Sequence, residues 1–206
     1  MNSVVRGLPT AEMGVVDMYS LHPETFQQGT YGLVIVSGDL DSFKDSEVPI
    51  PTRIQSTCAP GELGTSLDCD CNAQLAAARA ALNGFGMLVI LGQEGRGAGL
   101  EAKLEAMAFQ QQQGVDTATA YAALGLPWDQ RDYSHAVDFM VEHGVRDIEL
   151  ATNNPLKKRA FDGRVRATRR RHVAGVRHTN IDYLLVKAGM GHLLDRDELE
   201  AELEAI

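Results

Sequence analysis

Short apolar runs alternate along this chain with longer stretches in which apolar residues recur at helical spacing. Residues 31–38 and 87–91 are rich in β-branched and aliphatic side chains next to glycine, and each run predicts a buried strand. Residues 51–57 alternate polar and apolar side chains, which predicts a strand with polar groups on one face. Asp147–Ala151 predicts a fourth strand that leads into a turn at residues 152–155.

Helical periodicity fills most of the sequence between these strands. Leu100–Gln113 predicts a helix, and its apolar stripe, expected to face the core, consists of Leu100, Leu104, Met107 and Ala108. Further helices are predicted over residues 72–83, from Asp116 or Thr117 to about residue 125, over 133–143, over 180–188 and from 195 onward. Strands that alternate with helices predict an α/β fold, which we interpret as three α/β/α layers around a mixed sheet. We expect one domain over residues 1–194 and an acidic helical tail over 195–206, in which Leu199, Leu203 and Ile206 face inward.

Composition and charge narrow the class of partner. The chain has 206 residues, 44% of them hydrophobic, and a formal net charge of −9, which argues against a broad nucleic-acid surface. Residues 157–171 nevertheless contain eight Lys or Arg and one Asp. This local basic run fits a small polyanionic ligand better than a duplex, although a solvated basic face is the simpler interpretation of its outer arginines. No leader and no membrane-length apolar run is present, so we expect a cytoplasmic protein without membrane partners.

All three cysteines, Cys58, Cys69 and Cys71, fall within fourteen residues. Thiolates grouped at such spacing are typical of zinc sites, and three protein ligands leave the fourth position for water. This pattern predicts a catalytic zinc. Two alternatives stay open from the residues alone: a distant His or Asp closes a structural site, or free cysteines cluster by chance. A disulfide framework is disfavoured because the number of cysteines is odd and the chain is not small.

Three further polar clusters follow predicted strands or precede predicted helices, at residues 93–99, 127–133 and 152–157. The glycines of the first cluster permit close backbone approach, and an arginine there can pair with phosphate. A common glycine turn, helix caps and a plain Asn-Pro turn are the structural alternatives for the three clusters. These clusters and the strand at residues 51–57 contribute two acids and four cations. They are Glu94, Asp129, Arg53, Arg96, Arg131 and Lys157. Together with a zinc-bound water, these groups suit hydrolysis at an electrophilic carbon of a phosphorylated substrate.

From residue 8 to residue 194, the chain resembles the GTP cyclohydrolase II family, which opens the guanine imidazole ring at the entry to riboflavin synthesis. The motifs that carry the resemblance are Cys58, Cys69 and Cys71 at their spacing, Gln93-Glu94-Gly95-Arg96, Asp116-Thr117, Asp129-Gln130-Arg131-Asp132, Thr152-Asn153-Asn154-Pro155 with Lys157, and Tyr183-Leu184 before Gly191-His192-Leu193-Leu194. The resemblance implies that the three cysteines hold one zinc ion. It also implies a GTP substrate, a magnesium ion on the triphosphate and a homodimer.

The resemblance further assigns roles to individual residues. Asp129 matches the family's proton acceptor, and Arg131 matches a proposed nucleophile on the α-phosphate that releases pyrophosphate. The positions that match nucleotide-binding residues are Arg53, Ile54, Gln55, Ser56, Thr57, Gln74, Glu94, Gly95, Arg96, Thr117, Thr152 and Lys157. A guanidinium stays protonated at ordinary pH, so a clamp on developing phosphate charge is the more conservative role for Arg131. The alternative function is an inactive nucleotide-binding regulator of the same fold.

Three positions depart from the family pattern. Met107 stands where the family normally has Tyr, so we count it among the catalytic positions, and a thioether cannot donate a hydrogen bond. Either Met107 is core filler, or a step that needs the hydroxyl is lost and the reaction stops at the formamidopyrimidine nucleotide before formate release. Gln55 and Thr57 replace the usual His and Glu near the first cysteine. These changes suggest a paralogue from a specialised purine-derived pathway.

Overall fold

The computed structural model describes residues 3–21 and 31–204, which contain seven strands, nine helices and one short 3₁₀ helix. The strands are β1 (Val4–Thr10), β2 (Gly14–Ser20), β3 (Gly32–Ser37), β4 (Ile50–Ser56), β5 (Gly86–Leu91), β6 (Asp147–Ala151) and β7 (Arg166–Arg170). The helices are α1 (Leu40–Phe43), α2 (Ala59–Glu62), α3 (Cys71–Ala81), α4 (Leu100–Gln113), α5 (Thr117–Ala123), α6 (Ser134–Glu142), α7 (Pro155–Arg159), α8 (Ile181–Gly189) and α9 (Arg196–Glu204), and the 3₁₀ helix is Glu94–Gly97.

The seven strands form one mixed sheet in the order β1-β2-β3-β5-β4-β6-β7. The β1, β2, β3 and β5 strands pair antiparallel, whereas β4, β6 and β7 pair parallel. The register of β3 with β5 places Val34 opposite Val89. This mixed sheet with its helices confirms the predicted α/β fold.

Alternate side chains of the central strands pack into two separate clusters, one on each face of the sheet. On β3, Val34 and Val36 belong to the cluster that includes Phe139 of α6, whereas Ile35 belongs to the cluster that includes Leu75 of α3. A strand directs successive side chains to opposite faces, so the two clusters are two helix-covered faces. The predicted three layers are therefore present.

The chain divides into two compact units. The sheet unit comprises residues 1–55, 75–92 and 132–172, and the cysteine unit comprises residues 56–74, 93–131 and 173–206. In the cysteine unit, α8 and α9 pack through Leu184 and Leu199, with Leu203 partly buried. Ile206 lies outside the described residues. In the described part of the acidic tail, α9 spans Arg196–Glu204, while the tail over 195–206 and a single domain over residues 1–194 stay predictions.

The predicted apolar stripe of α4 is wrong. Leu100 and Leu104 are 43% and 49% exposed, and the helix instead buries Ala106 against Ala120 and Tyr121. Small side chains allow α4 and α5 to pack closely, so the leucines lie outside the contact. Periodicity identifies a helix, but it does not say which face another element covers. Among the described residues, every helix falls short of the length and apolar character that a membrane span requires.

Candidate active site

The three cysteine sulfurs converge at one place in the cysteine unit. Cys58 directly precedes α2, Cys71 is the first residue of α3, and Cys69 lies in the loop that joins these helices. All three sulfur atoms lie within 4.8 Å of one another. The group contains no His, Asp or Glu within the part of the chain that the structure describes. This arrangement disfavours a closed four-ligand site and favours three sulfur ligands with one open position.

A glycine makes room for this convergence. A Cβ atom on Gly61, in α2, would lie 2.6 Å from Cys69 Sγ and 3.1 Å from Cys58 Sγ. The backbone of α2 therefore approaches the sulfurs as closely as any residue permits, and a side chain at position 61 would force them apart. Three thiols held around a common point by backbone packing fit a thiophilic metal ion such as zinc.

Lys103 of α4 contacts the cysteine cluster through two partners. Its Nζ donates to Cys58 Sγ at 3.0 Å and to Glu94 Oε1 at 2.6 Å. The other Glu94 oxygen accepts from the backbone N–H of Ala59 at 2.6 Å, so the carboxylate is fixed beside the first cysteine. Glu94, which we predicted as a nucleotide-binding residue, therefore turns its side chain toward the cysteine cluster.

The charges in this network support one another. Hydrogen bonds from Cys69 and Cys71, together with the Lys103 cation, hold the pKa of Cys58 far below its usual value. Burial lowers the pKa of Lys103, but the Cys58 thiolate and Glu94 outweigh this and raise it overall. The hydrogen bonds with Cys58 raise the pKa of Cys69 and Cys71, so the negative charge of the cluster is favoured on Cys58, the sulfur that Lys103 contacts.

Asp70 lies between the last two cysteines and is held by a second lysine. Its side chain is 2% exposed, its Oδ1 accepts from Lys187 Nζ of α8 at 2.8 Å, and its Oδ2 accepts from Gln74 Nε2 at 2.5 Å. Asp70 also offsets the effect of burial on Lys187 and raises the pKa of that lysine. The cysteine loop is thereby tied to α8. Gln74 of α3, another predicted nucleotide-binding residue, donates the second of these hydrogen bonds to Asp70.

We expect the Lys187→Met variant to lower the free energy of unfolding by about 3 kcal/mol, because it leaves the Asp70 carboxylate buried without its cation. The measurement is urea denaturation followed by tryptophan fluorescence, since the only tryptophan, Trp128, lies in the same unit. Arg196→Met is the matched control, because its pair with Glu200 is exposed and contributes less than about 1 kcal/mol. Equal unfolding midpoints for Lys187→Met and the wild type would contradict a stabilising role for the Asp70–Lys187 ion pair.

Asp129 and Arg131 form a partly buried, two-pronged ion pair. Arg131 Nε donates to Asp129 Oδ1 at 2.8 Å, and Nη2 donates to Oδ2 at 2.5 Å. The side chains are 7% and 13% exposed, respectively. Burial raises the pKa of Asp129, but hydrogen bonds and charge from Arg131 outweigh it and lower the value. The predicted proton acceptor is therefore ionised, and it orients the guanidinium of its neighbour.

The remaining predicted residues of the cysteine unit lie in the 3₁₀ helix, α4 and α5. Gly95 and Arg96 both adopt left-handed backbone angles, and the Arg96 guanidinium stacks on the Trp128 ring at 3.5 Å from the ring centre. Thr117 begins α5, and its hydroxyl donates to Gln110 Oε1 at 2.9 Å. Met107 is half-buried in α4. The predicted turn at residues 93–99 is therefore a helical turn with unusual backbone geometry.

In the sheet unit, the predicted nucleotide-binding residues gather where the parallel strands β4 and β6 end. Arg53 donates from Nη1 to the carbonyl of Ala151 at 2.8 Å and from Nη2 to Gln55 Oε1 at 2.8 Å. Lys157 donates from Nζ to the carbonyl of Ile54 at 2.8 Å. These cations are buried, at 5% exposure each. They are built into the end of the sheet, the usual position of ligand sites in α/β folds.

The turn after β6 completes this group. Thr152 is 1% exposed, and its hydroxyl accepts from the backbone N–H of Asn154 at 3.1 Å. Asn154 in turn caps α7 by accepting from the N–H of Leu156. The Asn-Pro turn is therefore a capped helix start that presents Lys157. Ser56 is the last residue of β4 and Thr57 follows it, and the Ser56 hydroxyl is buried without a hydrogen-bond partner in the described chain.

Comparisons with known proteins place the chain in a family. A family model for GTP cyclohydrolase II matches residues 2–165. This chain belongs to the GTP cyclohydrolase II family. It is 40% identical over 196 residues to GTP cyclohydrolase-2 of Teredinibacter turnerae, covering 92% of this chain and 94% of that protein. It is 39% identical over 193 residues to GTP cyclohydrolase-2 of Neisseria meningitidis, covering 91% and 93%.

A third relative extends the comparison to a longer protein. The chain is 40% identical over 178 residues to "Riboflavin biosynthesis protein RibBA" of Salinispora arenicola, covering 81% of this chain and 40% of that protein. The resemblance inferred from the motifs is confirmed at the level of the family. The first two relatives are named GTP cyclohydrolase-2, and as a member of this family the chain is a hydrolase.

Sequence patterns did not reveal four residues that contact the predicted site residues, which are Asp70, Lys103, Trp128 and Lys187. A signal existed for Asp70, because a carboxylate between two clustered cysteines needs a partner once it is buried. The lysines lie on helices far from the cysteines in sequence. Only the packing of α4 and α8 brings them to the cluster.

Proposed function

We propose that this protein is a zinc-dependent hydrolase that opens the guanine imidazole ring of GTP at C8 and releases pyrophosphate. The observation that carries the proposal is the convergence of three thiols around the close approach of Gly61. The family match and the names of the relatives supply the substrate and the setting in riboflavin biosynthesis or a related purine-derived pathway. A cytoplasmic location and a homodimer are part of the proposal.

Cys58, Cys69 and Cys71 would hold the zinc ion. When bound, zinc would supply Lewis acidity toward a water molecule and the purine carbon. Three thiolates give such a centre a net charge of −1, which weakens that acidity. Lys103 offsets this charge by donating to Cys58 Sγ, because a hydrogen bond withdraws electron density from the sulfur. Lys103 is therefore the residue that tunes the cluster.

Arg131 acts on the phosphate side of the reaction as a clamp, and Asp129 holds it in place. Both prongs of the guanidinium are oriented by the Asp129 carboxylate, so the planar donor group is organised before substrate binds. A guanidinium with two carboxylate contacts stays protonated, which disfavours its use as a covalent nucleophile. Asp129 can accept a proton only after a phosphate draws Arg131 away from it.

Each compact unit has its own set of candidate nucleotide-binding donors. Those of the sheet unit are Arg53, Gln55 and Lys157. Those of the cysteine unit are Arg96 and Thr117. Magnesium enters with the triphosphate, which it neutralises. Omitting magnesium is therefore expected to raise KM for GTP and to leave the zinc content unchanged.

The test of the proposed function is incubation of the purified protein with GTP, zinc and magnesium, with mass spectrometry of the products and a pyrophosphate assay. A ring-opened monophosphate with stoichiometric pyrophosphate supports the proposal. Binding of GTP without turnover supports the inactive regulator. Recovery of unchanged GTP, together with absence of bound zinc in the untreated protein, would sink the hydrolytic proposal.

Met107 sets the expected end point of the reaction. Its thioether cannot donate a hydrogen bond, so we expect the wild-type protein to release the formamide nucleotide with less than one formate per ring opened. The Met107→Tyr variant is expected to raise formate release toward one per ring. Formate dehydrogenase measures the formate, and Met107→Phe is the matched control, because it has the ring without the hydroxyl. Stoichiometric formate from the wild type would contradict this assignment.

A further inference from the structure

The backbone at Arg96 has a conformation that side-chain-bearing residues rarely adopt. Gly95 has φ 59° and ψ 35°, and Arg96 has φ 57° and ψ 33°. Two consecutive left-handed residues are costly when one of them carries a Cβ atom. Such a conformation persists only where surrounding contacts hold it, and these positions often coincide with function.

Two neighbouring residues, Tyr121 and Gln130, hold this turn. The Tyr121 hydroxyl of α5 donates to the Gly95 carbonyl at 3.1 Å. The backbone N–H of Gln130 donates to the Arg96 carbonyl at 2.9 Å. At Gly97, a Cβ atom would lie 3.1 Å from Gln130, so the two backbones approach closely. The turn is therefore fastened to α5 and to the segment that carries Trp128, Asp129 and Arg131, which we call the catalytic segment.

The Arg96 guanidinium lies against aromatic rings and keeps a donor unused. Its carbon lies 3.5 Å from the centre of the Trp128 ring and 5.3 Å from the centre of the Tyr121 ring. The two rings meet edge to face at 6.1 Å. Arg96 Nη1 is buried and has no hydrogen-bond partner in the described parts of the chain. A buried guanidinium donor without an acceptor is unfavourable, and an anion removes that cost.

We propose that Trp128 is a positioning residue that holds the Arg96 guanidinium for a phosphate group of the substrate. The inference rests on the proposed function, since it takes the substrate to be a phosphorylated nucleotide. A flat stacked guanidinium keeps its edge donors directed in one plane, which suits two-pronged contact with phosphate oxygens. Trp128 meets Tyr121 of the apolar cluster edge to face, while its own ring face lies against the Arg96 guanidinium.

Because Trp128 stacks on Arg96, its fluorescence is expected to report phosphate binding at Arg96. The chain contains one tryptophan, so its intrinsic tryptophan fluorescence comes from this ring alone. Phosphate binding to Arg96 changes the electric field that the guanidinium exerts on the Trp128 indole. The emission of the wild-type holoenzyme is therefore expected to shift or quench on addition of inorganic triphosphate, and the same addition to an Arg96→Met variant is expected to leave it unchanged.

A double-mutant cycle tests the positioning role, with Trp128→Leu, Arg96→Met and the combined variant. The measured quantities are the dissociation constant of inorganic triphosphate by calorimetry, and KM and kcat for GTP. Trp128→Leu is expected to weaken triphosphate binding and raise KM by about tenfold, with kcat changed less, because a stacked cation contributes that much. Trp128→Phe retains an aromatic face and is expected to restore most of the loss. In the Arg96→Met background, Trp128→Leu is expected to add no further loss.

Phe109→Leu is the packing control, because Phe109 is a partly buried aromatic residue of the same unit outside the site. Additive losses in the double variant, or unchanged triphosphate binding in Trp128→Leu with intact zinc content, would overturn the inference while the proposed function stands. A wild-type holoenzyme that binds neither triphosphate nor GTP would overturn both. A Trp128→Leu variant that loses zinc is replaced by Trp128→Met, which also lacks an aromatic face, and an unchanged KM and triphosphate affinity there also overturn the inference.

Discussion

Replacing Cys69 by Ser is expected to remove bound zinc and to lower GTP turnover by about 10³-fold or more, because a Lewis-acid metal contributes several kcal/mol to such reactions. Cys69 and Cys58 have sulfurs 3.8 Å apart, and each supplies one of the three sulfurs that converge in the described cluster. A serine hydroxyl is a poor zinc ligand at neutral pH because it stays protonated. Metal analysis of the purified variant and a pyrophosphate assay measure the two effects.

The control for Cys69→Ser is Leu67→Ser, an equally polar change in the same loop. Leu67 is 51% exposed, so its replacement is expected to leave both zinc and turnover near the wild-type values. Stripping zinc from the wild type with a chelator is expected to abolish turnover, and adding zinc back is expected to restore it. A Cys69→Ser protein with one zinc per chain and full turnover would show that the sulfurs do not form the metal site.

Arg131→Lys is expected to lower kcat by about 10²- to 10³-fold while KM for GTP changes much less, as when a preorganised charge donor is lost. Lysine keeps the charge, but it cannot make the two-pronged contact with Asp129 that orients the guanidinium. Asp129→Asn is the partner variant, since it keeps the shape of the pair and removes the charge. The measurements are steady-state pyrophosphate release and ring opening, followed separately.

Two experiments distinguish a phosphate clamp from a covalent nucleophile at Arg131. The first is the activity of Arg131→Met, and the second is mass spectrometry of the wild-type protein quenched during turnover. For a clamp, Arg131→Met is expected to lose more activity than Arg131→Lys, and quenched wild-type protein carries no nucleotide adduct. An adduct on Arg131 would establish the nucleophile instead. An Arg131→Lys enzyme with wild-type kcat would rule out both roles, because charge alone would then suffice.

Local patterns in the sequence were enough to predict the interior elements of the fold. The bounds of β6 and α4 agree with the predictions from apolar runs and helical spacing. The outer strands were missed for a physical reason. β1 is exposed along almost its whole length, and β7 contains three arginines in five residues, so neither carries an apolar signal. They are strands because a neighbour pairs with them, as in the register of Ile148 with Ala167.

The sequence by itself determined which thiols converge, because three cysteines at short spacing need little tertiary information to meet. It also determined the family, through motifs distributed over the chain. Only the tertiary structure decided what surrounds these residues. Lys103 lies 45 positions from Cys58, and Lys187 lies 117 positions from Asp70, yet helix packing brings each pair within hydrogen-bond distance. Neither pair can be predicted from sequence periodicity, because each lysine is a single residue on its helix and a periodic pattern needs several recurring residues.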